Sequence, residues 1–359
     1  MERRTNTARW IESAGRWQIN VQRDGRRHSF YSSTPGRKGQ REANAKADAW
    51  LGSGVIGSSA RVADLYAEFQ TATGETVGTS FKRQIEYFGN AWILPALGRK
   101  KISALCDQDL QQVLDKAAAA GMSKKTIQGI NGMMNKFLKY CRRRRVTAFR
   151  PEEVQIPASA RLKGKTVLQP ADLIKLFNSE TYDYYGKRVK EPYIHAYRFQ
   201  VLTGLRPGEL RGLRPEDVRG RQVDIVRAIN DYGEETKGKN ENAVRSFILS
   251  EMAKRELDLQ LEEYPGTETV FNLPSSQTYG KHWKRFCEDN GIRHVSPYEL
   301  RHTFVSVVKR LPAGEIKPLV GHSVDMDTFG VYGHTLEGEG EQVAASVNTL
   351  FKRILTAEK

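Results

Sequence analysis

Two breaks in the hydrophobic pattern divide this chain of 359 residues into three segments of different character. The first break is the glycine- and serine-rich stretch GSGVIGSSA at 52–60, and the second is FRPEEVQIPASARLKGK at 149–165, which contains two prolines. Such stretches favour turns and extended chain over regular helices and strands. The breaks therefore predict three domains, at residues 1–55, 60–157 and 165–359, in a chain long enough for several cores.

The first segment predicts a small three-stranded sheet packed against one helix. Trp17, Ile19 and Val21 alternate with polar residues, as in a strand with one buried face, and Asp24-Gly25 is a pair typical of hairpin turns. The stretch HSFY then returns as the next strand, and QREANAKADAWL follows with small and apolar residues at helical spacing. The predicted buried face of this helix comprises Ala43, Ala47, Trp50 and Leu51.

The second segment predicts an all-α bundle. Its stretches VADLYAEFQ, SFKRQIEYF, DQDLQQVLDKAAAA and SKKTIQGINGMMNKFLKYC repeat apolar residues every three to four positions. Ser123 is a suitable N-cap for the last of these helices. The apolar stripe of that helix leaves its lysines and an arginine run outside the predicted core, and comprises Ile127, Ile130, Met134, Phe137, Leu138 and Cys141.

Positive charge is the first indication of a partner. The chain carries 57 Lys and Arg against 42 Asp and Glu, a net charge of +15, and residues 121–150 contain nine Lys or Arg and no acidic residue. A solvated face is the alternative explanation, but a polyanionic partner, DNA or RNA, explains such a block better. The candidate DNA-binding residues are Arg16, Arg23, Arg26 and Arg27 in the first segment and Lys124, Lys125, Lys136, Lys139, Arg142, Arg143, Arg144 and Arg145 in the second.

Other features of the sequence narrow the class of protein. No run of about 18 apolar residues occurs that would span a membrane, and the first residues, MERRTNTARW, lack the apolar stretch of a signal peptide. The three cysteines are far apart and without metal-ligand spacing, which predicts reduced thiols, no disulfide and no structural zinc. We therefore expect a cytoplasmic protein with no membrane contact.

The third segment mixes helices with β-hairpins and carries four short motifs. RQVDIVRAIN and AVRSFILS are predicted strands joined through the polar stretch DYGEETKGKNEN. In the first motif, TGLRPGEL, Pro207 suits the first position of a helix and Glu209 the third, so Arg206 lies at a helix N-terminus, where backbone amides add to its attraction for an anion. By itself, an arginine beside a helix cap more often makes an ordinary surface ion pair.

The second motif, SPYELRHTF, predicts a helix that begins with a capping box of Ser296 and Glu299. Tyr298 and Arg301, three residues apart, then share one face near its start. His302 points about 100° away from Arg301 around the helix, so we expect it to support the site rather than contact a ligand. The core side of this helix comprises Leu300, Phe304 and Val307 or Val308.

The third and fourth motifs, LVGHS and FGVYGH, follow in the chain. Gly321 suits the left-handed end of a helix, and His322 then lies in the turn that follows. The fourth motif is a short apolar segment that carries Tyr332. A lone histidine or tyrosine is more often a packing residue than a functional one, so neither motif is specific by itself.

Together the motifs give the order R…K…(H)xxR…H…Y, with Gly-Leu-Arg at the first arginine and Gly-His before the tyrosine. This order resembles the tyrosine recombinases, the phage integrase family, and PYELRHTF with MDTFGVYGH is most similar to integrases of conjugative transposons. The two preceding segments resemble that family's arm-site and core-site DNA-binding domains. The resemblance implies the DNA breaking-rejoining fold, with a mainly α catalytic domain that contains β-hairpins, and site-specific recombination of a mobile element through a 3′-phosphotyrosyl intermediate.

The resemblance also implies roles for single residues. Arg206 and Arg301 would bind the non-bridging oxygens of the scissile phosphate, because a guanidinium can donate two parallel hydrogen bonds. Lys237, with Lys239 as the alternative, would give the leaving 5′-oxygen its proton, and Tyr332 would be the nucleophile. The implied catalytic residues are Arg206, Lys237, Tyr298, Arg301, His322 and Tyr332, with Glu209 and His302 in supporting positions.

Two departures from the family pattern concern the nucleophile. Position 298 usually holds histidine or lysine, whereas a tyrosine side chain, with a pKa of about 10, is a poor base at neutral pH but a good donor to a phosphate oxygen. Three hypotheses follow: Tyr298 donates to the phosphate, His322 accepts the proton, or the chain is inert; we favour the first two combined. The spacing from His322 to Tyr332 is ten residues, one more than is common, which implies a longer loop before the tyrosine.

The resemblance implies that no cofactor or metal is needed, because the phosphotyrosine conserves the energy of the cleaved bond and positive side chains stabilise the charge. The sequence contains no GxxxxGK[ST] loop and no carboxylate cluster suited to two magnesium ions. The implied partners are double-stranded DNA at core and arm sites, further copies of the chain in a homo-tetramer, and accessory excision or DNA-bending proteins. The implied location is the nucleoid of a bacterium.

The C-terminal tail, GHTLEGEGEQVAASVNTLFKRILTAEK, predicts a helix whose apolar face comprises Val343, Val347, Leu350, Phe351 and Leu355. This helix packs either on its own domain or, as in the resembled family, on a neighbouring protomer, and we favour the second. Two other functions stay open. One is a type IB topoisomerase-like enzyme that relaxes DNA as a monomer, and the other is a DNA-binding protein that has kept the fold without catalysis.

Overall fold

Three hydrophobic cores organise the part of the molecule that the structure describes. The computed structural model describes residues 4–23, 26–53, 59–162, 164–236, 244–321 and 338–357. The chain divides into two compact units, residues 1–163 and 164–359. Within the described ranges, the first unit contains two of the cores and the second contains the third. The finer division of the first unit into an arm-site and a core-site domain stays a prediction.

The N-terminal core lies between a three-stranded antiparallel sheet and one helix. The elements are β1 (Arg9–Ile11), β2 (Arg16–Arg23), β3 (Arg26–Ser32) and α1 (Gly36–Ser53), with the strands in the order β1-β2-β3. Ile19 and Val21 are buried against Ala43, Ala47 and Leu51, which confirms both predicted faces. The proposed Asp24-Gly25 turn lies outside the described residues.

The second core belongs to a bundle of helices. They are α2 (Val62–Gly74), α3 (Thr79–Phe88), which continues into a π-helical turn at Gly89–Ile93, α4 (Leu94–Leu97), α5 (Asp107–Ala119) and α6 (Lys124–Arg143). Every residue of the apolar stripe predicted for α6 is buried, together with Met133. The Ser123 hydroxyl accepts from the Thr126 amide at 3.2 Å, as the predicted N-cap requires.

The segment between the units is extended, as predicted, but its first part is packed on the bundle. Val154, Ile156 and Ala160 contact the apolar core of the bundle. The Asp107 carboxylate accepts from the Glu152 and Glu153 amides at 3.1 and 2.9 Å. Extended chain can be fixed in this way because side chains satisfy its backbone amides in place of a helix or sheet.

The C-terminal unit is mainly α-helical and holds several small sheets. Its helices are α7 (Pro170–Asn178), α8 (Ile194–Thr203), α9 (Pro207–Gly212), α10 (Glu251–Glu263), α11 (Ser276–Asp289), α12 (Pro297–Val308), α13 (Ala313–Val320) and α14 (Glu339–Thr356). Its strands are β4 (Thr181–Tyr184), β5 (Lys187–Lys190), β6 (Val218–Arg219), β7 (Gln222–Ile225), β8 (Ala228–Ile229), β9 (Glu235–Thr236) and β10 (Arg245–Ile248).

Helix α8 is the centre of this unit, because all ten of its residues are buried. Its polar members are paired, as burial demands. The Arg198 guanidinium donates to the carbonyl oxygens of Leu176, Phe177 and Ser179 at 3.0 to 3.1 Å, and so satisfies the C-terminal end of α7.

The strands confirm the predicted β segments and correct their connection. Strand β10 pairs antiparallel with β7, and β6 completes this sheet. The stretch RQVDIVRAIN is not one strand, since it divides at Val226-Arg227 into β7 and β8, and β8 forms a separate hairpin with β9. The bend accompanies an ion pair between Arg227 and Asp217. A further hairpin, β4–β5, turns at Tyr185-Gly186 and had no counterpart in the prediction.

The tail helix α14 confirms the predicted apolar face. Phe351 is buried and stacks on Phe304 at a centroid distance of 6.4 Å, with Val347 beside it. Asn348 accepts from the Met252 amide at 3.2 Å and donates to Glu251 at 3.0 Å, at the start of α10. In this structure of the single chain, α14 therefore packs on its own unit.

None of the helices in the described ranges combines the length and the apolar character needed to cross a membrane.

The end of α6 contains a strained residue within the arginine run. Arg145 has a φ of 55°, in the left-handed region, and its amide donates to the Arg142 carbonyl at 2.9 Å. Glycine usually occupies this position after a helix because it has no Cβ. A side chain there costs about 1 kcal/mol, so the arginine is retained at the expense of stability.

We predict that Arg145→Gly stabilises the bundle by about 1 kcal/mol, since glycine takes the left-handed conformation without strain. Hydrogen exchange of the α6 amides, followed by mass spectrometry, should slow by about fivefold. Lys139→Gly is the matched control, because it removes the same charge from an exposed position inside the helix and should speed exchange. Faster exchange in Arg145→Gly would contradict the prediction.

Candidate active site

Arg206 is held at the start of α9 by the carboxylate that the sequence predicts at the third helical position. Pro207 is the first residue of α9, and the Glu209 side chain accepts from the Arg206 backbone amide at 3.0 Å. The same carboxylate accepts from Arg206 Nη1 at 2.6 Å. Helix α9 has only six residues, so its dipole adds little and the guanidinium itself is the main source of positive charge.

The turn before Arg206 depends on Gly204. This residue ends α8 with a φ of +67°, and a Cβ on it would lie 2.4 Å from the Phe304 ring. Its carbonyl oxygen accepts from Arg301 Nη1 at 2.9 Å. Gly204 therefore lies between the buried helix α8 and Arg206 in the chain, and its carbonyl group binds Arg301.

Helix α12 carries Arg301 into the core. It begins with the predicted capping box, in which the Ser296 amide donates to Glu299 at 2.7 Å. Leu300, Phe304 and Val308 are buried, as predicted for its core side. Arg301 is 2% exposed, whereas a quarter of the Arg206 side chain is exposed.

The C-terminal end of α13 is the point at which the arginines meet. Its last carbonyl groups have no partner within the helix and carry partial negative charge. Gly321, with a φ of +59°, ends the helix in the predicted left-handed conformation. Three successive carbonyl oxygens each accept from a different guanidinium: Arg245 Nε to Leu319 at 3.0 Å, Arg301 Nη2 to Val320 at 2.5 Å and Arg206 Nη2 to Gly321 at 3.1 Å.

Arg245 is a member of this cluster that the sequence analysis did not identify. It is the first residue of β10, and its Nη1 and Nη2 donate to the two Glu209 oxygens at 3.1 and 2.9 Å. Both side chains are almost fully buried, at 7% and 3% exposure. An arginine at the start of an otherwise apolar strand, AVRSFILS, was the only signal of a buried partner.

The electrostatics of the cluster follow from burial and from mutual charge. Burial, and after it the Arg206 charge, lower the pKa of Arg301 to about 10, so Arg301 stays cationic at neutral pH. For Glu209, burial raises the pKa but the hydrogen bonds and charges of Arg245 and Arg206 outweigh it, and the net shift is downward. The carboxylate is therefore ionised at neutral pH.

Tyr298 lies in the first turn of α12 and is 43% exposed. The ring of His302 contacts it edge-on, with centroids 5.5 Å apart. Burial lowers the pKa of His302, and the Lys165 charge lowers it further, so His302 is neutral at neutral pH. The described contact of His302 is thus with Tyr298, and Tyr298 contributes to the electrostatic environment of Arg301.

The β8–β9 hairpin is packed closely on α9. A Cβ on Gly208 would lie 3.0 Å from the Ile229 carbonyl oxygen, so a larger residue would require the strand to shift by a few tenths of an ångström. Strand β9 ends at Thr236, the residue that precedes Lys237 in the chain. Lys237 and Lys239 themselves lie outside the described residues, as do His322, which follows Gly321, and Tyr332.

The family assignment rests on the second unit. Residues 171–339 match the model of the phage integrase family. The C-terminal unit belongs to the phage integrase family. No curated protein matches the sequence of the chain as a whole.

Solved structures share the fold of this integrase. The integrase of the Tn1549 transposon, in complex with transposon right end DNA, superposes with a TM-score of 0.64 at 19% identity, over 80% of this chain and 100% of that one. A lambda integrase dimer bound to a core site gives a TM-score of 0.55 at 15% identity, over 94% and 99% of the two chains. A lambda integrase tetramer bound to a Holliday junction gives 0.54 at 14%, over the same shares. These likenesses confirm the tyrosine recombinase fold.

The basic residues of the helical bundle differ in their surroundings. Lys125, Lys139 and Arg143 are exposed on α6. Lys136 is exposed with its Nζ 4.0 Å from the centre of the Phe81 ring. Two of the other predicted DNA-binding residues are bound to protein groups: Arg142 donates to the Phe149 carbonyl at 2.9 Å, and Arg144 pairs with Glu68 at 3.2 Å. Lys124 is partly buried, and Arg145, just after the helix, is exposed.

On the N-terminal sheet, the Arg16 guanidinium lies 4.1 Å from the centre of the Tyr31 ring, and Arg27 is exposed. The side chains of Arg23 and Arg26 lie outside the described part. In the described ranges, no three His, Cys, Asp or Glu side chains lie together as a metal site would require. The DNA-binding role of the basic residues stays a prediction.

We predict that Glu209→Gln lowers the free energy of unfolding of the integrase unit by about 3 kcal/mol at neutral pH, because it leaves buried arginines without their counter-charge. The folded pKa of Glu209 lies below its ordinary value of 4.5. Its stabilisation is thus fully present above that pH and is lost as the pH falls towards the folded pKa. The difference between wild type and variant should therefore shrink below pH 4.5.

The measurement is urea unfolding of fluorotryptophan-labelled protein, read from the signal of Trp283, the only tryptophan after residue 163. Glu216→Gln, at a side chain 63% exposed, is the control and should change little. A difference between wild type and Glu209→Gln that does not vary with pH would contradict the ionised pairing.

Proposed function

We propose that this integrase cuts and rejoins DNA at specific sites of a mobile element through a 3′-phosphotyrosyl intermediate. One observation carries the proposal: Arg206 and Arg301, from two different helices, converge on adjacent carbonyl groups at the end of α13, immediately before His322. Two guanidiniums held side by side suit a phosphodiester, whose non-bridging oxygens gain negative charge during attack.

In the proposed reaction, Tyr332 attacks the scissile phosphorus and the 5′-oxygen leaves. Arg206 and Arg301 stabilise the charge that develops on the phosphate, and Lys237, or Lys239 as the alternative, protonates the leaving oxygen. The close packing of the β8–β9 hairpin on α9 supports the role of Lys237, since β9, which ends at Thr236, pairs with the strand that contacts the helix after Arg206.

For the nucleophile's proton, we propose that His322 is the acceptor and that Tyr298 donates to a phosphate oxygen. The exposure of Tyr298 supports this role, because its side chain is open to a ligand on the surface of the unit. His302, in contact with the Tyr298 ring, fixes its orientation. The reaction as proposed needs no cofactor.

We propose that double-stranded DNA is bound by the basic residues of the first unit and cleaved by a tetramer. The Tn1549 integrase has been solved with transposon end DNA and the lambda integrase as a tetramer on a Holliday junction, which supports carrying both partners over to this chain. Accessory excision or DNA-bending proteins remain part of the proposal.

Cleavage is tested with a nicked duplex that carries candidate ends of the element, incubated with the protein in EDTA and separated under denaturing conditions. We expect wild type to form a protein–DNA adduct and Tyr332→Phe to form none, because the variant lacks the nucleophilic oxygen. Tyr298→Phe is the matched control at the other tyrosine and should slow the adduct without abolishing it.

An adduct that persists in Tyr332→Phe would assign the nucleophile to another residue. Intact DNA binding without any adduct in wild type would favour a DNA-binding protein that has lost catalysis. In that case Tyr298→His tests whether the unusual residue is the cause.

We also propose that, in the tetramer, the site occupied by α14 receives the α14 helix of a neighbouring copy. A disulfide can lock the helix to its own unit, because a Cβ on Gly340 would lie 3.8 Å from Cβ of Ile248, a distance suited to a disulfide. In a Cys106→Ser background, we predict that the pair Gly340→Cys and Ile248→Cys binds DNA when oxidised but assembles into tetramers only after reduction. Native gels with and without a reductant measure this. Equal assembly in both states would show that α14 stays on its own unit.

A further inference from the structure

Arg245 is the second arginine, beside Arg206, that binds the Glu209 carboxylate. Glu209 Oε1 accepts from Arg206 at 2.6 Å and from Arg245 at 3.1 Å, and Oε2 accepts from Arg245 at 2.9 Å. With Nε bound to the Leu319 carbonyl, the Arg245 guanidinium has a described acceptor for each of its nitrogens. Arg245 is thus directed to protein groups, whereas Arg206 is a quarter exposed.

The charges of the four side chains explain why both arginines contact one carboxylate. A buried Glu209 paired with Arg206 alone would neutralise the guanidinium that the phosphate requires. With Arg245 included, the four side chains Arg206, Arg245, Arg301 and Glu209 carry a formal charge of +2. An attacked phosphodiester approaches a charge of about −2, so this excess matches the transition state better than the ground state.

We propose that Arg245 is a positioning residue for strand cleavage: it neutralises Glu209 so that Arg206 keeps its charge and its orientation for the scissile phosphate. Arg245 does so without touching DNA. The inference rests on the proposed function, since it assigns the phosphate to Arg206. It adds a residue that the four sequence motifs do not contain.

The location of Arg245 extends the consequence to two other parts of the site. It is the second described residue after the segment that holds Lys237 and Lys239, and it binds the Leu319 carbonyl at the end of α13, three residues before His322. A single buried side chain thereby connects Glu209 to the start of β10 and to the end of α13. A substitution that only loosened these connections would act whether or not Glu209 is charged, and this difference makes the inference testable.

The experiment compares wild type, Glu209→Gln, Arg245→Gln and the double variant in single-turnover formation of the covalent adduct on the nicked substrate. Arg245→Gln should slow adduct formation by about tenfold to a hundredfold at unchanged DNA affinity, because Glu209 then competes for Arg206. In the Glu209→Gln background the same substitution should change the rate by less than about threefold, because no carboxylate is left to neutralise.

An equal slowing in both backgrounds would overturn the inference and leave Arg245 a purely structural residue, as would a wild-type rate in Arg245→Gln. If Arg245→Gln alone does not fold, the double variant against Glu209→Gln still tests the claim, since it contains no unpaired carboxylate. Arg245→Lys provides the second comparison. It keeps the charge but loses the paired hydrogen bonds to Glu209, so its rate should lie between those of wild type and Arg245→Gln.

A second readout separates this inference from the proposed function. Sulfate has the shape and charge of a phosphate group, and it should stabilise the wild-type unit against thermal unfolding in proportion to its binding. Arg245→Gln should raise the apparent Kd for sulfate by about tenfold. The double variant, which also carries Glu209→Gln, should return to the wild-type Kd. Absence of an adduct in wild type would count against the proposed cleavage alone, whereas absence of this sulfate pattern would count against Arg245.

Discussion

The bonds between guanidinium groups and the C-terminal carbonyls of α13 are the interaction on which the site depends. A helix end inside a protein must find donors for its last carbonyl groups, and arginines side by side must find relief from mutual repulsion. Here each requirement satisfies the other, because Leu319, Val320 and Gly321 accept from arginines that belong to β10, α12 and the start of α9. Positive charge can thus be concentrated in the unit without a bound anion.

The balance of this cluster is set by one carboxylate. Glu209 is sufficient to offset part of the repulsion but not to neutralise the cluster, which keeps an excess of positive charge for a phosphate. The proposed recombinase chemistry uses that excess directly. An arrangement with a second buried carboxylate would be more stable and less suited to phosphate transfer, since stability and charge excess act in opposite directions at such a site.

Features encoded by local sequence were predictable, and those that depend on distant pairing were not. The start of α9 at Pro207, the capping box at Ser296, the left-handed end at Gly321 and the buried stripe of α6 follow from residue types within a few positions of each other, and the structure confirms them. Arg245 escaped prediction because its partner Glu209 is brought near only when β10 pairs with β7 and α13 packs beside them. The division of one predicted strand into β7 and β8 has the same origin, because it accompanies an ion pair between Arg227 and Asp217.

Tyr298 remains the most unusual residue of the motif, and its surroundings explain how a tyrosine can stand at that position. The Tyr298 ring packs against His302, one turn later in α12. The family pattern has a histidine at position 298, whereas here a neutral histidine lies at 302. Of the two residues, Tyr298 is the exposed one.

Gly204 shows how narrowly such a site constrains its own variation. The residue satisfies three independent demands, a left-handed backbone, contact with Phe304 and a carbonyl directed at Arg301. A substitution elsewhere that relieves one of them leaves the other two unmet. Second-site suppressors of a Gly204 variant should therefore be very rare. In a library of random variants, the chains that keep the arginine cluster should have glycine at this position.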